Sequence, residues 1–128
     1  MNVDEQIEYW QKGSAEDLAA AESLIEKGHL RHGLFFAHLA LEKMLKAHVV
    51  RQTREMPPPI HSLPRLAAMA VLRLDGVQMD FLREFGVYQI EGRYPDAAQF
   101  EITADLACEE LRRTQEMLAW LSSQSWRM

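Results

Sequence analysis

Two long stretches of helical periodicity, joined by a short connection, occupy about the first fifty residues of the chain. They constrain the fold more than any other feature, because apolar positions that recur at three- and four-residue steps form one face of an amphipathic helix. The first stretch carries Val3, Ile7, Trp10, Ser14, Leu18, Ala21 and Leu24 or Ile25 on one face. The second runs from about His29 to Arg51 and carries Leu34, His38, Leu41, Leu45, His48 and Val49.

The connection between these stretches spans only Gly28 to Leu30. Gly28 is suited to close the first helix in the left-handed conformation, and Lys27 suits the negative end of the helix dipole. A connection this short favours an antiparallel hairpin of neighbouring helices. The second stretch is the more apolar one, so we expect it at the centre of a helical bundle.

The remaining sequence also predicts helices. Met56-Pro57-Pro58-Pro59-Ile60 must form a stiff loop, since proline removes backbone donors. Ser62 is a candidate N-cap, with Pro64 near the first helical position, for a helix that Asp75-Gly76 should end. A further helix is predicted over Val77 to Ile90, with Gly92 and the turn Tyr94-Pro95-Asp96 after it, and a last one from about Ile102 to Leu121, with Thr103 or Asp96 as its start and a fraying tail from Ser122 to Met128. No run alternates strictly, so we expect an all-α fold in one domain, residues 1–128.

Composition limits the classes of function. The formal net charge is -5, which argues against broad binding of duplex nucleic acid. No apolar stretch is long enough to span a bilayer, and the acidic N-terminus lacks the features of a secretory signal, so we expect a cytoplasmic protein with no membrane contact. The single cysteine, Cys108, allows no internal disulfide, and we expect it to be a small buried residue.

Four motifs, in this order, resemble those of the HEPN family (higher eukaryotes and prokaryotes nucleotide-binding), in the branch associated with minimal nucleotidyltransferases. They are the segments 15–21, 35–47 (FFAHLALEKMLKA), 59–63 (PIHSL) and 93–96 (RYPD). Their order and spacing match from about Ser14 to Leu118. The resemblance implies an antiparallel, up-and-down four-helix bundle with an extra short helix. It also implies a frequent homodimer, a nucleotidyltransferase partner encoded beside the protein, and a toxin–antitoxin role in some pairs. We expect no cofactor.

Some members of the family are metal-independent ribonucleases that use an arginine followed four to six residues later by a histidine. Arg93 lies in the corresponding region, but no histidine follows it in the sequence. Arg54 and His61 have six residues between them, yet they flank the proline-rich loop, so we interpret that spacing as coincidence. The catalytic motif is therefore incomplete at Arg93, and no catalytic residue is predicted.

Six residues form the predicted ligand-binding set: Glu42, Lys46, His61, Arg93, Tyr94 and Asp96. Glu42 and Lys46 are four residues apart on one helical face, which a solvated ion pair explains as well as a site does. His61, at a helix start, suits either an anion or a structural contact. Arg93 could bind a phosphate or instead pair with Asp96 or Glu42. No pattern predicts a metal site.

Structural roles explain the other noticeable side chains without a ligand site. His38 and His48 lie on the apolar stripe and are expected to be hydrogen-bonded core residues. Trp120 and Trp126 are harder to bury in one small bundle and suggest a dimer contact. The leading hypothesis is a module that binds a nucleotide or RNA phosphate beside a nucleotidyltransferase. The alternatives are a ribonuclease toxin and a purely structural dimerisation bundle.

Overall fold

The computed structural model describes residues 1–89 and 101–126, which fold into helices and contain no strand. This confirms the predicted all-α bundle. The helices are α1 (Val3–Glu26), α2 (Leu30–Thr53), α3 (Leu63–Met69), α4 (Gly76–Phe85), a 3₁₀ turn (Gly86–Tyr88) and α5 (Ala104–Ser123).

Helices α1 and α2 form the predicted antiparallel hairpin. Gly28 closes α1 with a φ of 87°, and the His29 amide donates to the carbonyl oxygen of Leu24 at 2.8 Å. These are the features of a glycine-terminated helix end. Further along, the Ser14 hydroxyl donates to the carbonyl oxygen of Ala40 at 2.7 Å, in the buried seam between the two helices. The hairpin therefore has polar as well as apolar links.

The hairpin is tightest at Gly33, near the start of α2. A Cβ atom added there would overlap Cγ1 of Ile25 and lie 3.2 Å from the carbonyl oxygen of Ala21. Only glycine lets the two backbones approach this closely at this position.

Helix α2 lies at the centre, as predicted, and packs against α1, α3 and α5. Every residue from Met44 to Arg51 is buried, so this part of α2 meets neighbours on all sides. The large side chains that are fully buried, on α2 itself and on the helices around it, include Leu34, Leu41, Leu45, Leu66, Leu82, Phe85 and Leu121. Polar groups on α2 must therefore find partners within the protein.

The middle of the chain departs from the prediction. Ser62 does cap α3, since its side chain accepts the Arg65 amide, but α3 ends at Met69 and does not continue to Asp75-Gly76. Asp75 instead begins α4, where its side chain accepts a hydrogen bond from the Gln78 amide and the Gln78 side chain accepts one from the Asp75 amide. This reciprocal capping box fixes the start of α4.

The C-terminal part also differs from expectation. The helix predicted over Val77 to Ile90 narrows to a 3₁₀ turn after Phe85, while Thr103 caps α5 as predicted. Cys108 is exposed, because α5 turns Ala107 and not its neighbour toward the core. Helix α5 continues to Ser123, one residue past the predicted start of the tail, and Trp126 packs against the bundle. None of the helices in the described part of the chain is long and apolar enough to span a membrane.

Candidate functional site

A buried carboxylate, Glu42, is the centre of the candidate site. Helix α2 places His38, Glu42 and Lys46 at successive four-residue steps, which puts them on one helical face. Glu42 is only 4% exposed, and His38 and Lys46 are buried as well. A charged group at this depth requires compensation by an opposite charge and by hydrogen bonds.

Lys46 provides the opposite charge. Its Nζ donates to Oε2 of Glu42 at 3.1 Å, which confirms that the two residues pair but excludes the solvated surface pair as an explanation. The same ammonium group lies 5.4 Å from the ring centroid of Trp10 on α1. A cation over an aromatic face gains electrostatic stabilisation, so Trp10 helps to hold Lys46 in place.

His61 joins the cluster from outside α2. The proline-rich segment between α2 and α3 places its Nδ1 3.1 Å from both carboxylate oxygens of Glu42. The His61 side chain is 49% exposed, so it connects the buried carboxylate with solvent. When Nδ1 carries the proton and donates to Glu42, Nε2 of the neutral ring is the acceptor.

A fourth side chain, His38, lies on the core side of the carboxylate. Its Nδ1 is 3.6 Å from Oε1 of Glu42, and its ring is stacked at 6.3 Å on that of Phe85. His38 is thus the buried core residue that was predicted, but sequence reasoning missed its place beside Glu42. The four-residue spacing between them was the available signal.

The described residues bring together only part of the predicted site. Glu42, Lys46 and His61 meet, whereas Arg93, Tyr94 and Asp96 lie outside the described residues. Arg54 lies exposed at the end of α2 with a left-handed φ of 61°, and His61 pairs with Glu42. Among residues 1–89 and 101–126, no group of three histidine, cysteine or acidic side chains could hold a metal ion.

A second buried polar network joins α2 to α5. It confirms His48 as a hydrogen-bonded core residue, while its partners were not predicted from the sequence. The His48 Nε2 is 2.8 Å from the carbonyl oxygen of Leu121, and the Nε–H of Arg51 donates to His48 Nδ1 at 3.1 Å. The ring of Trp126 stacks on that of His48, with centroids 3.8 Å apart. Burial lowers the pKa of His48 to about 4, so the imidazole is neutral.

Tyr88, the last residue of the 3₁₀ turn, is buried. Its hydroxyl donates to Glu110 at 2.9 Å, and Arg113 donates to the other oxygen of that carboxylate at 3.0 Å. Burial, followed by the bond to Glu110, raises the pKa of Tyr88 well above its ordinary value. The phenol therefore stays protonated and anchors the 3₁₀ turn to α5.

Comparison with known proteins identifies the family of this fold. Similarity to the crystal structure of an archaeal HEPN homologue extends over 92% of this chain and 96% of that chain, with a TM-score of 0.65 and 21% identity. At that identity the likeness shows a shared fold. A search of curated proteins finds no match. The model of the HEPN domain family matches residues 7–124, and the chain therefore belongs to the HEPN family.

Proposed function

We propose that this HEPN domain, residues 1–128, is a non-catalytic module that binds the phosphate of a nucleotide or of RNA. The observation that supports it is the Glu42 cluster, in which one buried carboxylate holds an ammonium group and a half-exposed imidazole. Lys46 and His61 are the donors that it offers to an anion. In this proposal Arg93, Tyr94 and Asp96 complete the site.

The cluster suits a reversible, competitive mode of binding. In the free protein Glu42 neutralises Lys46, so no cation stays buried without a partner. An incoming phosphate, approaching past exposed His61, competes with Glu42 for these donors, and Arg93 adds a planar fork. Binding is then weak and falls as ionic strength rises.

Nuclear magnetic resonance tests this proposal. Titration with millimolar nucleotide or short RNA at low salt should shift the amide signals of Lys46, His61 and Arg93, and added salt should reverse the shifts. His61→Gln should weaken the effect. His29→Gln is the matched control, because His29 is exposed near the start of α2. Unchanged spectra would favour the purely structural bundle.

We also propose a nucleotidyltransferase as the protein partner. In some pairs of this family, the two proteins act as toxin and antitoxin. This rests on the resemblance to that branch of the family. A gene for a minimal nucleotidyltransferase beside that of this protein, and co-purification of the two chains, would support it. Separate elution of the two co-expressed chains would contradict it.

We also propose that the protein forms a homodimer, through a surface that does not include Trp126. Trp126 finds its contact within the chain, on His48, so it no longer argues for a dimer. What supports the dimer is a cleft of about 280 Å³ between α4 and α5, which Val77, Phe81 and Trp120 help to line. Val77 is strongly exposed at its edge.

Sedimentation at roughly tens of micromolar tests the dimer. We expect a dimer for the parent protein and a monomer for Val77→Glu, which places a charge on the cleft. Val71→Glu, at an exposed valine outside the cleft lining, should leave the dimer intact. A parent protein that is strictly monomeric would exclude this contact.

A metal-independent ribonuclease is the second candidate function, and one observation favours it. Glu42 orients the His61 ring in the way that a carboxylate orients a general base. We still expect no cleavage above that of Arg93→Ala, since no histidine follows Arg93. RNA cleavage without metal that both Arg54→Ala and His61→Ala abolish would establish the enzyme.

A further inference from the structure

A surface hollow of about 270 Å³ lies over α1 and α2, apart from the Glu42 carboxylate. It is lined by Tyr9, Lys12, Gly13, Glu16 and Lys43. This volume is slightly below the roughly 300 Å³ at which ligand pockets begin, so the hollow has room for part of a ligand, such as one planar ring with a polar substituent. The lining combines an aromatic ring, two cations and one carboxylate.

Tyr9 presents an unusual amount of apolar surface to solvent. It is 65% exposed, although it lies within a helix whose opposite face is buried. Its ring meets that of Trp10 edge to face, with centroids 5.2 Å apart, so Trp10 fixes its orientation. An exposed ring held in this way is a platform on which a nucleobase can stack.

The two lysines of the hollow differ in their partners. Lys43 is held by Asp17 of α1, with Nζ 2.8 Å from Oδ2. Lys12 is exposed and, among the described residues, forms no ion pair. Lys12 is therefore the cation available to a phosphate, while Lys43 is a fixed part of the wall.

Gly13 keeps the hollow open. Gly13 lies inside α1, where glycine destabilises a helix. The ability of glycine to adopt a left-handed conformation does not explain it, because Gly13 is helical. A Cβ atom at this position would lie 3.1 Å from Cδ of Lys43. The missing side chain thus leaves the space between Tyr9 and Lys43.

We propose that this hollow binds one nucleotide, with the base stacked on Tyr9 and the phosphate paired with Lys12. Glu16 would accept hydrogen bonds from amino and imino groups of the base, which favours guanine over uracil. The proposal rests on the nucleotide-binding function proposed above and adds a second nucleotide site, whose phosphate contact is Lys12 and not the Glu42 cluster. Trp10 connects the two sites, because it contacts Tyr9 and also lies under the Lys46 ammonium group.

The amide signal of Gly13 is the reporter for the test, and that of Gly28 at the end of α1 is its internal reference. Guanosine monophosphate at low salt should shift the Gly13 signal and leave that of Gly28 in place. Uridine monophosphate should bind more weakly. Tyr9→Leu should reduce the affinity about tenfold, the typical effect of losing one stacking contact.

Lysine variants test the phosphate contact. Lys12→Gln should weaken binding and flatten its salt dependence, whereas Lys27→Gln, an exposed lysine at the other end of α1, should change neither. A short single-stranded RNA that binds more tightly than the free nucleotide identifies a strand as the source of the nucleotide. Equal affinity identifies the free nucleotide.

The outcomes separate this inference from the function on which it rests. Shifts at Lys46 and His61 without a shift at Gly13 would overturn the hollow as the base site and keep phosphate binding. No shift at any of these residues would overturn both. A Gly13 shift with unchanged affinity in Tyr9→Leu would also overturn the stacking proposal.

Discussion

His48 on α2 donates its Nε2–H to the carbonyl oxygen of Leu121 on α5, across a distance of 2.8 Å. Because Arg51 donates to the other ring nitrogen, both nitrogens of the neutral imidazole are satisfied. A proton added to Nδ1 would displace the Arg51 bond and place a second cation beside that guanidinium. The contact between α2 and α5 therefore depends on a neutral His48.

We expect stability to fall as the pH drops from 6.5 toward 4. The ordinary pKa of histidine is 6.5 and that of folded His48 is about 4, so in this window the unfolded chain binds a proton that the folded protein does not. The resulting loss should reach roughly 3 kcal/mol at pH 4. Urea unfolding at several pH values measures it.

His48→Gln should remove this part of the pH dependence, because the glutamine amide can both donate and accept hydrogen bonds but does not titrate. His29→Gln, at an exposed histidine, should retain the full dependence. Parallel pH profiles for the parent protein and His48→Gln would contradict the assignment to His48.

Glu42→Gln should destabilise the fold strongly. The variant leaves the buried Lys46 ammonium without its carboxylate, and breaking a buried pair in this way costs about 3 to 5 kcal/mol. Adding Lys46→Met should recover much of the loss, since the stranded charge is then gone. Denaturant unfolding of both single variants and the double variant completes the cycle.

The exposed pair of Asp80 and Arg83 provides the control. Both side chains are 63% exposed, so Asp80→Asn should change stability by less than about 1 kcal/mol. If Glu42→Gln had an equally small effect, Lys46 would have to be solvated.

Gly33→Ala should destabilise the hairpin of α1 and α2. The added methyl group overlaps Ile25 and approaches the backbone of Ala21, an overpacking that costs about 1 to 3 kcal/mol and exceeds the gain in helix propensity. Gly76→Ala is the control, because a Cβ there meets no atom within 4 Å. Thermal unfolding should show a lower midpoint for the first variant alone.

Val71→Gly should stabilise the protein. Val71 follows α3 with a φ of 54°, and its amide donates to the carbonyl oxygen of Ala68 at 3.1 Å, which is a helix end that favours glycine. Removing the strain of a valine in the left-handed conformation should raise the free energy of unfolding by about 1 kcal/mol. Val77→Gly, at an exposed helical valine, should give no gain, and a similar gain in both variants would contradict the explanation.

The elements with strong local signals were predictable. Gly28, Ser62 and Thr103 mark helix ends through the chemistry of single residues, and all three act as predicted. The end of α3 was not predictable, since Val71 occupies the position where glycine is expected. The start of α4 was missed although Asp75 and Gln78 have the spacing of a capping box.

The candidate site was predictable only along one helix. The spacing of Glu42 and Lys46 predicts their pairing, but not their burial, which depends on three neighbouring helices. His61 approaches Glu42 across 19 residues and a proline-rich loop, and no local pattern fixes such a contact. Cys108 was misplaced because one residue along α5 rotates a side chain by about 100°.

The close seam between Ser14 and Ala40 has a consequence for the order in which the chain assembles. Helices α1 and α2 are consecutive and joined by a tight turn, so little chain entropy is lost when they meet. Helix α5 must instead return over a long stretch of sequence to reach His48. During synthesis the first two helices can therefore associate as soon as both have left the ribosome. One apolar face of this hairpin then stays exposed to solvent until α5 has been synthesised and packs against it.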